Sequence, residues 1–562
     1  MKKVISYISL IASVLLFVCA CDSRLDIEQM GVLSSDIYYQ TDDDAQEALA
    51  ALYGTWASNA ITYDYQYKIL FSDECYNAGS APTDNEANQS ICQAYYDATN
   101  SNISTMYSGY YTIINRANLI IDAFQEAQDT QIKKLAVAEA RFFRAWCYFD
   151  LVTLWGNPPL VTKVLSAAEG EVANTPGADT WEFIESELKD IINSGILTEK
   201  AGVNDTQAGI RPTKQTAQAY LAKAYLFQGK YSDALPLLES VINSGKYALA
   251  QDADYANLFH HEGNYSPEYL LSNNTIQDDA NGYPINWTFV ILGNWIWGNS
   301  NFNIDYNTYL FFMNGYDIFW YLGYGFFQPT GKIGRVMEQI EGKDGFRKSY
   351  TLKDQDQMVS QVGAYLSGDG TIYGNEGYFR FKRIARNSDL VNASYAGWGG
   401  CAINLPSMRY AEVLMMAAEA AFKTGSPKAV DYFNQIRDRA KAPQVSSLDM
   451  DTIQNEYFAE FAFEGHRFQD LQRWDKNGDI NMVDVLKDKG KKLIYFSTKA
   501  PAATDQYTKT RTSFAYDSWT YEVPTQKTRA GFDSYEKLLP YPQSELDVNK
   551  NIEQNPGWET IQ

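Results

Sequence analysis

Three histidines in 562 residues, His260, His261 and His466, leave little material for a metal centre or a histidine-based catalytic constellation. Cysteine is also sparse. The six residues include no CxxC pair, so the tight Cys/His cluster of a structural zinc site is missing. No GxSxG, HExxH or P-loop pattern occurs, which removes the usual sequence signs of serine, zinc and nucleotide chemistry. Positive charge is in deficit: Lys+Arg 47 against Asp+Glu 69 gives a net charge of −22. A surface of that sign argues against nucleic acid or anionic lipid as a partner. Beyond the N-terminus there is no long hydrophobic run, and the apolar stretch Val413 to Ala421 is short and interrupted by a carboxylate. Glycoside hydrolysis is harder to exclude, since it needs only two suitably spaced carboxylates and the chain has many.

What the sequence does contain begins at its start. Lys2 and Lys3 precede an apolar run from Val4 to Val18, broken only by Ser6, Tyr7, Ser9 and Ser13. That run falls short of the about 20 apolar residues of a membrane span and has the proportions of a secretory signal peptide. It ends in Val18-Cys19-Ala20-Cys21, which resembles the lipobox of bacterial lipoproteins. Residues 1–20 are therefore expected to be removed and Cys21 to carry the lipid. Each buried lipid CH₂ contributes about 0.8 kcal/mol, so several acyl chains on Cys21 would hold the protein at a membrane surface. A Cys75–Cys92 disulfide is one option for two of the remaining cysteines, and free thiols are the other.

The body reads as mainly α. Asp42-Asp43-Asp44 are expected to cap a helix over Ala45–Ala57, placing acids at the positive end of its dipole. Further helices are expected over Tyr107–Ala127 and Ile132–Leu154. In the second, Ala136, Ala140, Phe143, Cys147 and Leu151 recur at helical spacing. Ala222, Tyr225, Gly229, Tyr231, Ala234 and Leu238 fall at the spacings of a tetratricopeptide repeat, with Gly229 at the turn. A looser second copy runs over Ala411–Arg437, with Ala418, Gly425 and Ala429 and a turn one residue shorter. Together with paired helices over 107–154 and 180–227, these favour a helical-repeat scaffold, an architecture that displays binding surfaces.

Between about 245 and 400 the periodicity gives way to Gly, Asn, Tyr and Trp, which predicts a loop-rich insertion laid over the helices. The division expected is 21–245 for the N-terminal helical repeats, 246–400 for the insertion, and 401–562 for a C-terminal repeat and irregular tail. Within the insertion, Tyr283–Phe327 holds 17 aromatic residues in 45, seven asparagines, and only Asp305 and Asp317 as charges. Aromatic faces pack on the C–H faces of pyranose rings, and amides match hydroxyls with paired donors and acceptors. The candidate glycan contacts are Trp287, Trp295, Trp297, Trp320, Tyr324 and Asn294. Phe289, Phe311, Phe312 and Phe319 have the character of core.

A second candidate is Ser72-Asp-Glu-Cys-Tyr-Asn-Ala-Gly, where Asp73 and Asn77 could meet sugar hydroxyls and Tyr76 or Tyr95 could form a platform. The competing reading of the same residues is a turn at a helix end. His466 is expected to be structural, and His260-His261 to lie in a solvated loop. No cofactor and no metal are expected.

Several segments, taken in order, resemble the SusD/RagB family of outer-membrane nutrient-binding lipoproteins. They are Gly31-Val-Leu-Ser-Ser-Asp-Ile-Tyr-Tyr, Ile114-Asn-Arg-Ala-Asn-Leu, and Ala138-Glu-Ala-Arg-Phe-Phe-Arg-Ala-Trp with Leu154-Trp-Gly. Met408-Arg-Tyr-Ala-Glu-Val-Leu, Ala462-Phe-Glu-Gly-His-Arg-Phe, Leu471-Gln-Arg-Trp and the tail Leu539-Pro-Tyr-Pro-Gln-Ser-Glu-Leu with Gln554-Asn-Pro-Gly-Trp follow. The resemblance implies a SusD-like α-α superhelix and a surface-exposed, lipid-anchored protein of the outer membrane. It also implies glycan capture without bond cleavage, and a SusC-like TonB-dependent transporter as partner. Other branches of the family resemble peptide binders, so a peptide ligand is the alternative, with a glycoside hydrolase behind it. In the family the segment just before Pro329-Thr330 contributes to the ligand face, which favours Trp320 and Tyr324. Tyr96-Asp97-Ala98-Thr99 resembles framework. Family members can carry calcium, but no loop here has EF-hand spacing.

Overall fold

The computed structural model describes residues 39–57, 65–78, 84–205, 208–274, 326–354, 357, 371–373, 376, 378–383, 386–389, 403–487, 489, 493–497, 520–521 and 531–558. These are mostly helical. Helices α1 (Asp42–Thr55), α2 (Tyr65–Phe71), α3 (Glu86–Cys92), α4 (Ser101–Phe124), α5 (Gln131–Trp155), α6 (Gly177–Ser194), α7 (Lys214–Phe227) and α8 (Tyr231–Asn243) form the N-terminal half. From α4 to α8 each helix packs on the next, and α1 lies across α4 and α5.

Short-range chemistry sets the starts and turns. At α1 the cap is Thr41 and not the aspartates: its hydroxyl accepts the Asp44 N–H, and the Asp44 carboxylate accepts the Thr41 N–H at 2.7 Å. The acidic run completes that box and fills the first turn. Asn100 accepts two backbone N–H groups, starting α4 well before the expected Tyr107, and Thr130 caps α5.

In the first repeat hairpin, Gly229 turns α7 into α8 at φ +73°, and in the second, Gly425 turns α10 (Tyr410–Lys423) into α11 (Ala429–Arg439) at φ +71°. Glycine adopts that left-handed conformation without steric cost. The second turn, residues 424–428 against 228–230, is the longer of the two and not the shorter. Pro427 disfavours helical backbone at Ser426 and delays α11. Ala217, Ala219, Ala222 and Ala224 on α7, and Ala417, Ala418, Ala420 and Ala421 on α10, are fully buried. Side chains this small bring helix axes to the short end of the about 8–10 Å packing range.

The second hairpin stacks directly on the first, α8 against α10, although the whole insertion separates them in sequence. The neck of the insertion is closed by a two-stranded antiparallel ribbon of β2 (Tyr269–Asn273) and β6 (Leu405–Arg409), with Tyr269 opposite Arg409. Inside the insertion are β3 (Phe326–Pro329), helix α9 (Gly331–Glu341), and a ribbon of β4 (Leu352–Asp354) with β5 (Tyr378–Arg380). Strand β1 (Cys75–Ala78) comes from the N-terminal half and pairs with β3.

Helices α12 (Met450–Glu460) and α13 (Arg467–Lys476) follow the second hairpin, and the tail ends in α14 (Gln543–Val548). The tail wraps back onto α5. Leu539 N–H donates to the Leu154 carbonyl at 2.8 Å, the Trp155 indole donates to Pro540 at 2.9 Å, and the Asn555 amide donates to Trp155 at 3.0 Å. The motif-rich end of the chain thus satisfies the open carbonyls at the C-terminus of α5. One continuous core contains Trp56, Trp155 and Trp474, all fully buried. No described helix is long and apolar enough to cross a membrane.

Candidate ligand-binding face

The β1–β3 ribbon brings together two stretches singled out in the sequence. Its antiparallel register places Ala78 opposite Phe326, Tyr76 opposite Gln328 and Cys75 opposite Pro329. Phe326 and Phe327 are the last residues of the aromatic stretch 283–327, and Ala78 lies within the second candidate, which begins at Ser72. The two candidates, about 250 residues apart in sequence, therefore meet at one edge. Phe327 is fully buried with φ +59°, a conformation that is rare for a bulky side chain and marks local strain held by its surroundings.

Those surroundings are polar and closely tied. The Thr330 N–H donates to the Glu74 carbonyl at 2.9 Å and its hydroxyl to the Asp73 carbonyl at 2.8 Å, extending the ribbon by one rung. Arg467 at the start of α13 donates through Nε to Asp73 at 2.9 Å, and Lys332 on α9 pairs with the same carboxylate. Burial alone would raise the Asp73 carboxyl, but Arg467 and Lys332 hold it well below the usual range. Glu74 is fully buried, and burial lifts it to about 7 against the pull of the Phe463 N–H at 2.8 Å and the Ser72 hydroxyl at 3.0 Å. The Tyr76 hydroxyl donates to Glu376 at 2.6 Å, and Glu376 also accepts the Gly331 N–H. Asn77 is fully buried and donates to the Asp84 carbonyl at 2.9 Å.

Asp73, Tyr76 and Asn77 are thus joined to protein groups and brace the ribbon. Residues 72–74 form the turn that follows α2, and 75–78 form a strand. Tyr95 is half-buried with its hydroxyl on Glu86 at 3.0 Å. Tyr96 is buried against Phe71 and Trp558, as its framework reading implies. Trp287, Asn294, Trp295, Trp297, Trp320, Tyr324 and Cys21 lie outside the described residues, as do Phe289, Phe311, Phe312 and Phe319.

Beneath this face lies a feature that sequence reading missed, a network of buried ions. Arg409, at the end of β6, reaches Glu268 at 2.7 Å, Glu460 at 2.6 Å and Glu464 at 2.7 Å. Glu460 also meets Arg347 at 2.9 Å and pairs with Arg439, while Arg347 meets Glu456 at 2.7 Å. Burial would raise the Glu460 carboxyl, but Arg439, Arg409 and Arg347 hold it well below the ordinary value. Burial lowers the Lys382 ammonium to about 8 despite its pairing with Glu464. Arg347 and Lys382 lie in the 246–400 region, whereas Arg439, Glu456 and Glu460 lie on the helices after it and Glu464 in the turn between α12 and α13. The insertion is fastened to the repeats by charge as well as by packing. Glu460-Phe-Ala-Phe-Glu464 carried the available signal, acids set within an apolar run.

The histidines fall into the same frame. His466 stacks on Phe461, centroids 5.0 Å apart, with Nδ1 3.5 Å from Glu412. The expectation of a solvated His260 does not hold. It is buried with Nδ1 2.9 Å from Asp389, whose other oxygen accepts the His261 N–H at 2.7 Å. A small core of Tyr255, Leu258, Phe259 and Tyr269 draws that segment inward. Cys75 and Cys92 are free and buried: the Asn77 N–H donates to the Cys92 sulfur at 3.2 Å. Among the described residues no group of His, Cys, Asp and Glu could hold a metal ion.

Two family models cover most of the chain: the SusD family over residues 316–558, and "starch-binding associating with outer membrane" over residues 33–226. The chain belongs to the SusD/RagB family. Among SusD-like relatives, protein P2 of Formosa agariphila is 27% identical over 501 residues, covering 83% of this chain and 90% of that one. A SusD-like protein of Bacteroides ovatus is 23% identical, covering 96% of each. The fold matches a laminarin-binding SusD-like protein with TM-score 0.70 at 23% identity, covering 92% of this chain and 100% of that one. It also matches surface glycan-binding protein A from Bacteroides thetaiotaomicron, solved with laminarihexaose, with TM-score 0.67 at 22% identity and the same coverage.

Proposed function

We propose that this SusD-like chain is a non-enzymatic surface lipoprotein of the outer membrane, anchored through Cys21. It binds oligo- or polysaccharide and passes it to a SusC-like TonB-dependent transporter. The observation that carries the reading is the pairing of Ala78 with Phe326, which fixes one end of an aromatic, asparagine-rich and almost uncharged segment to a braced ribbon. A rigid base under an aromatic surface lowers the ordering cost of gripping a neutral, hydroxyl-rich chain. The description of one matching family, starch-binding associating with outer membrane, and the name of one fold neighbour, a laminarin-binding SusD-like protein, support the same ligand class. Trp287, Trp295, Trp297, Trp320, Tyr324 and Asn294 are the assigned contacts, with Asp73, Tyr76 and Asn77 as their support.

The test is native affinity electrophoresis against a panel of plant, fungal and host polysaccharides, with Trp295→Ala and Trp320→Ala beside the wild type. Retardation by one glycan, lost in either variant, is expected. Absence of retardation by every polysaccharide, together with no calorimetric signal from oligosaccharides, overturns the reading. Release of reducing ends from a bound glycan overturns its non-enzymatic part.

A further inference from the structure

A groove lies on the N-terminal half, where the tail packs against it. Its walls are α4, the segment 159–172 and the tail around α14, and its volume is about 440 Å³. That falls within the roughly 300–1,000 Å³ of small-ligand sites. The walls are bonded to one another. The Tyr111 hydroxyl donates to the Pro159 carbonyl at 2.8 Å, the Asn549 amide donates to Val172 at 2.9 Å, and Ser104 meets Ser544 at 3.1 Å. The groove is therefore set before any ligand arrives.

Its lining is mixed in chemistry. Along α4, Ser108, Thr112 and Asn115 stand exposed at helical spacing beside Tyr107 and Tyr111, whose ring centroids are 4.8 Å apart. Tyr111 is only half-buried, so part of its ring borders the groove. Thr112 donates its proton to the Ser108 carbonyl at 2.7 Å and keeps its oxygen as an acceptor. The segment 159–172 adds apolar lining from Pro159, Val161, Leu165 and Val172, and the tail adds Ser544, Glu545 and Asn549. Lys163, the cation in the lining, is already paired with Glu169 at 2.6 Å, which disfavours an anionic ligand. None of the three walls is a strand, so a peptide finds no edge to extend. Polar groups set beside apolar surface match a sugar ring, with hydroxyls at its rim and C–H bonds on its face.

We infer that this groove is a second glycan-contact site, engaging the stretch of a long polysaccharide that extends beyond the insertion. The inference rests on the glycan-binding reading and adds a place and a chain-length dependence to it. Such a site adds avidity for polymers and leaves short oligosaccharides unaffected.

Thr112→Arg fills the groove from an exposed helix position and Asn115→Ala removes its amide. Both are compared with wild type and Trp320→Ala by affinity electrophoresis on the retarding polysaccharide and by calorimetry with a hexasaccharide of the same linkage. Unchanged melting temperatures check the fold. The expected result is about tenfold weaker polymer binding in Thr112→Arg, a smaller loss in Asn115→Ala, and unchanged hexasaccharide binding in both. Polymer binding equal to wild type overturns the groove and leaves the principal reading standing. Equal weakening for polymer and hexasaccharide also overturns it as a separate site. A wild type that binds no glycan overturns both.

Discussion

Arg409 and Glu460 meet at 2.6 Å with both side chains almost wholly removed from water, at the point where the insertion returns to the helical stack. Arg409 also reaches Glu268, just ahead of β2 at the neck of the insertion, and Glu464 after α12, so one guanidinium ties three parts of the chain together. Removing one partner of a buried pair leaves the other charge without compensation, at about 3–5 kcal/mol. Arg409→Leu should lower unfolding free energy by that order, measured by urea denaturation. A loss under about 1 kcal/mol would show that the network is dispensable.

The Asp73 bridge makes a prediction with a definite sign in pH. Its carboxyl is depressed in the folded state, so its stabilisation is present above the unfolded value of 3.8 and fades as pH falls through the lower folded value. Asp73→Asn should cost about 3 kcal/mol near neutrality. The gap from wild type should narrow in acid melts below about pH 4.

Glu74 acts in the opposite direction. Burial raises its carboxyl from 4.5 to about 7, so its contribution is fully present below the lower value and is lost as pH rises through the upper one. Wild type should lose up to about 3 kcal/mol between about pH 5 and about pH 8 relative to Glu74→Gln. Parallel pH profiles for the two proteins would contradict the assignment.

Cys75, Cys92 and Cys147 are buried thiols, and burial pushes the first two upward in pKa. A thiol that is both protonated and covered reacts slowly. Mass spectrometry after alkylation should find these three unmodified in the native protein and modified once it is denatured in urea. Modification of the native protein at Cys75 would show that the ribbon opens.

The proposed lipid attachment at Cys21 has its own test. Cys21→Ala should move the protein from membrane to soluble fractions with an unchanged melting temperature. Retention in the membrane fraction would remove Cys21 as the attachment point.

The helical repeats were legible because their signals are short-range. Gly229 and Gly425 mark turns, alanines on α7 and α10 mark close packing, and the acidic run Asp42–Asp44 marks the first turn of α1, though its cap is Thr41. Small errors at helix ends arose from capping groups outside the periodic pattern, such as Asn100 ahead of α4. The role of His260 was not legible, because its partner Asp389 is distant in sequence.

Short-range patterning alone establishes the helical-repeat class, the positions of both hairpins, and a segment whose aromatics and asparagines suit a neutral ligand. Each of these depends on residues a few positions apart, where backbone geometry is the same in any fold. Only the tertiary structure decided that Ala78 faces Phe326, that Asp73 is held by Arg467 and Lys332, and that Arg409 joins Glu268, Glu460 and Glu464. Those pairings depend on the path of the whole chain. A charged residue reads alike in sequence whether it meets solvent or a buried partner, and burial alone separates the two.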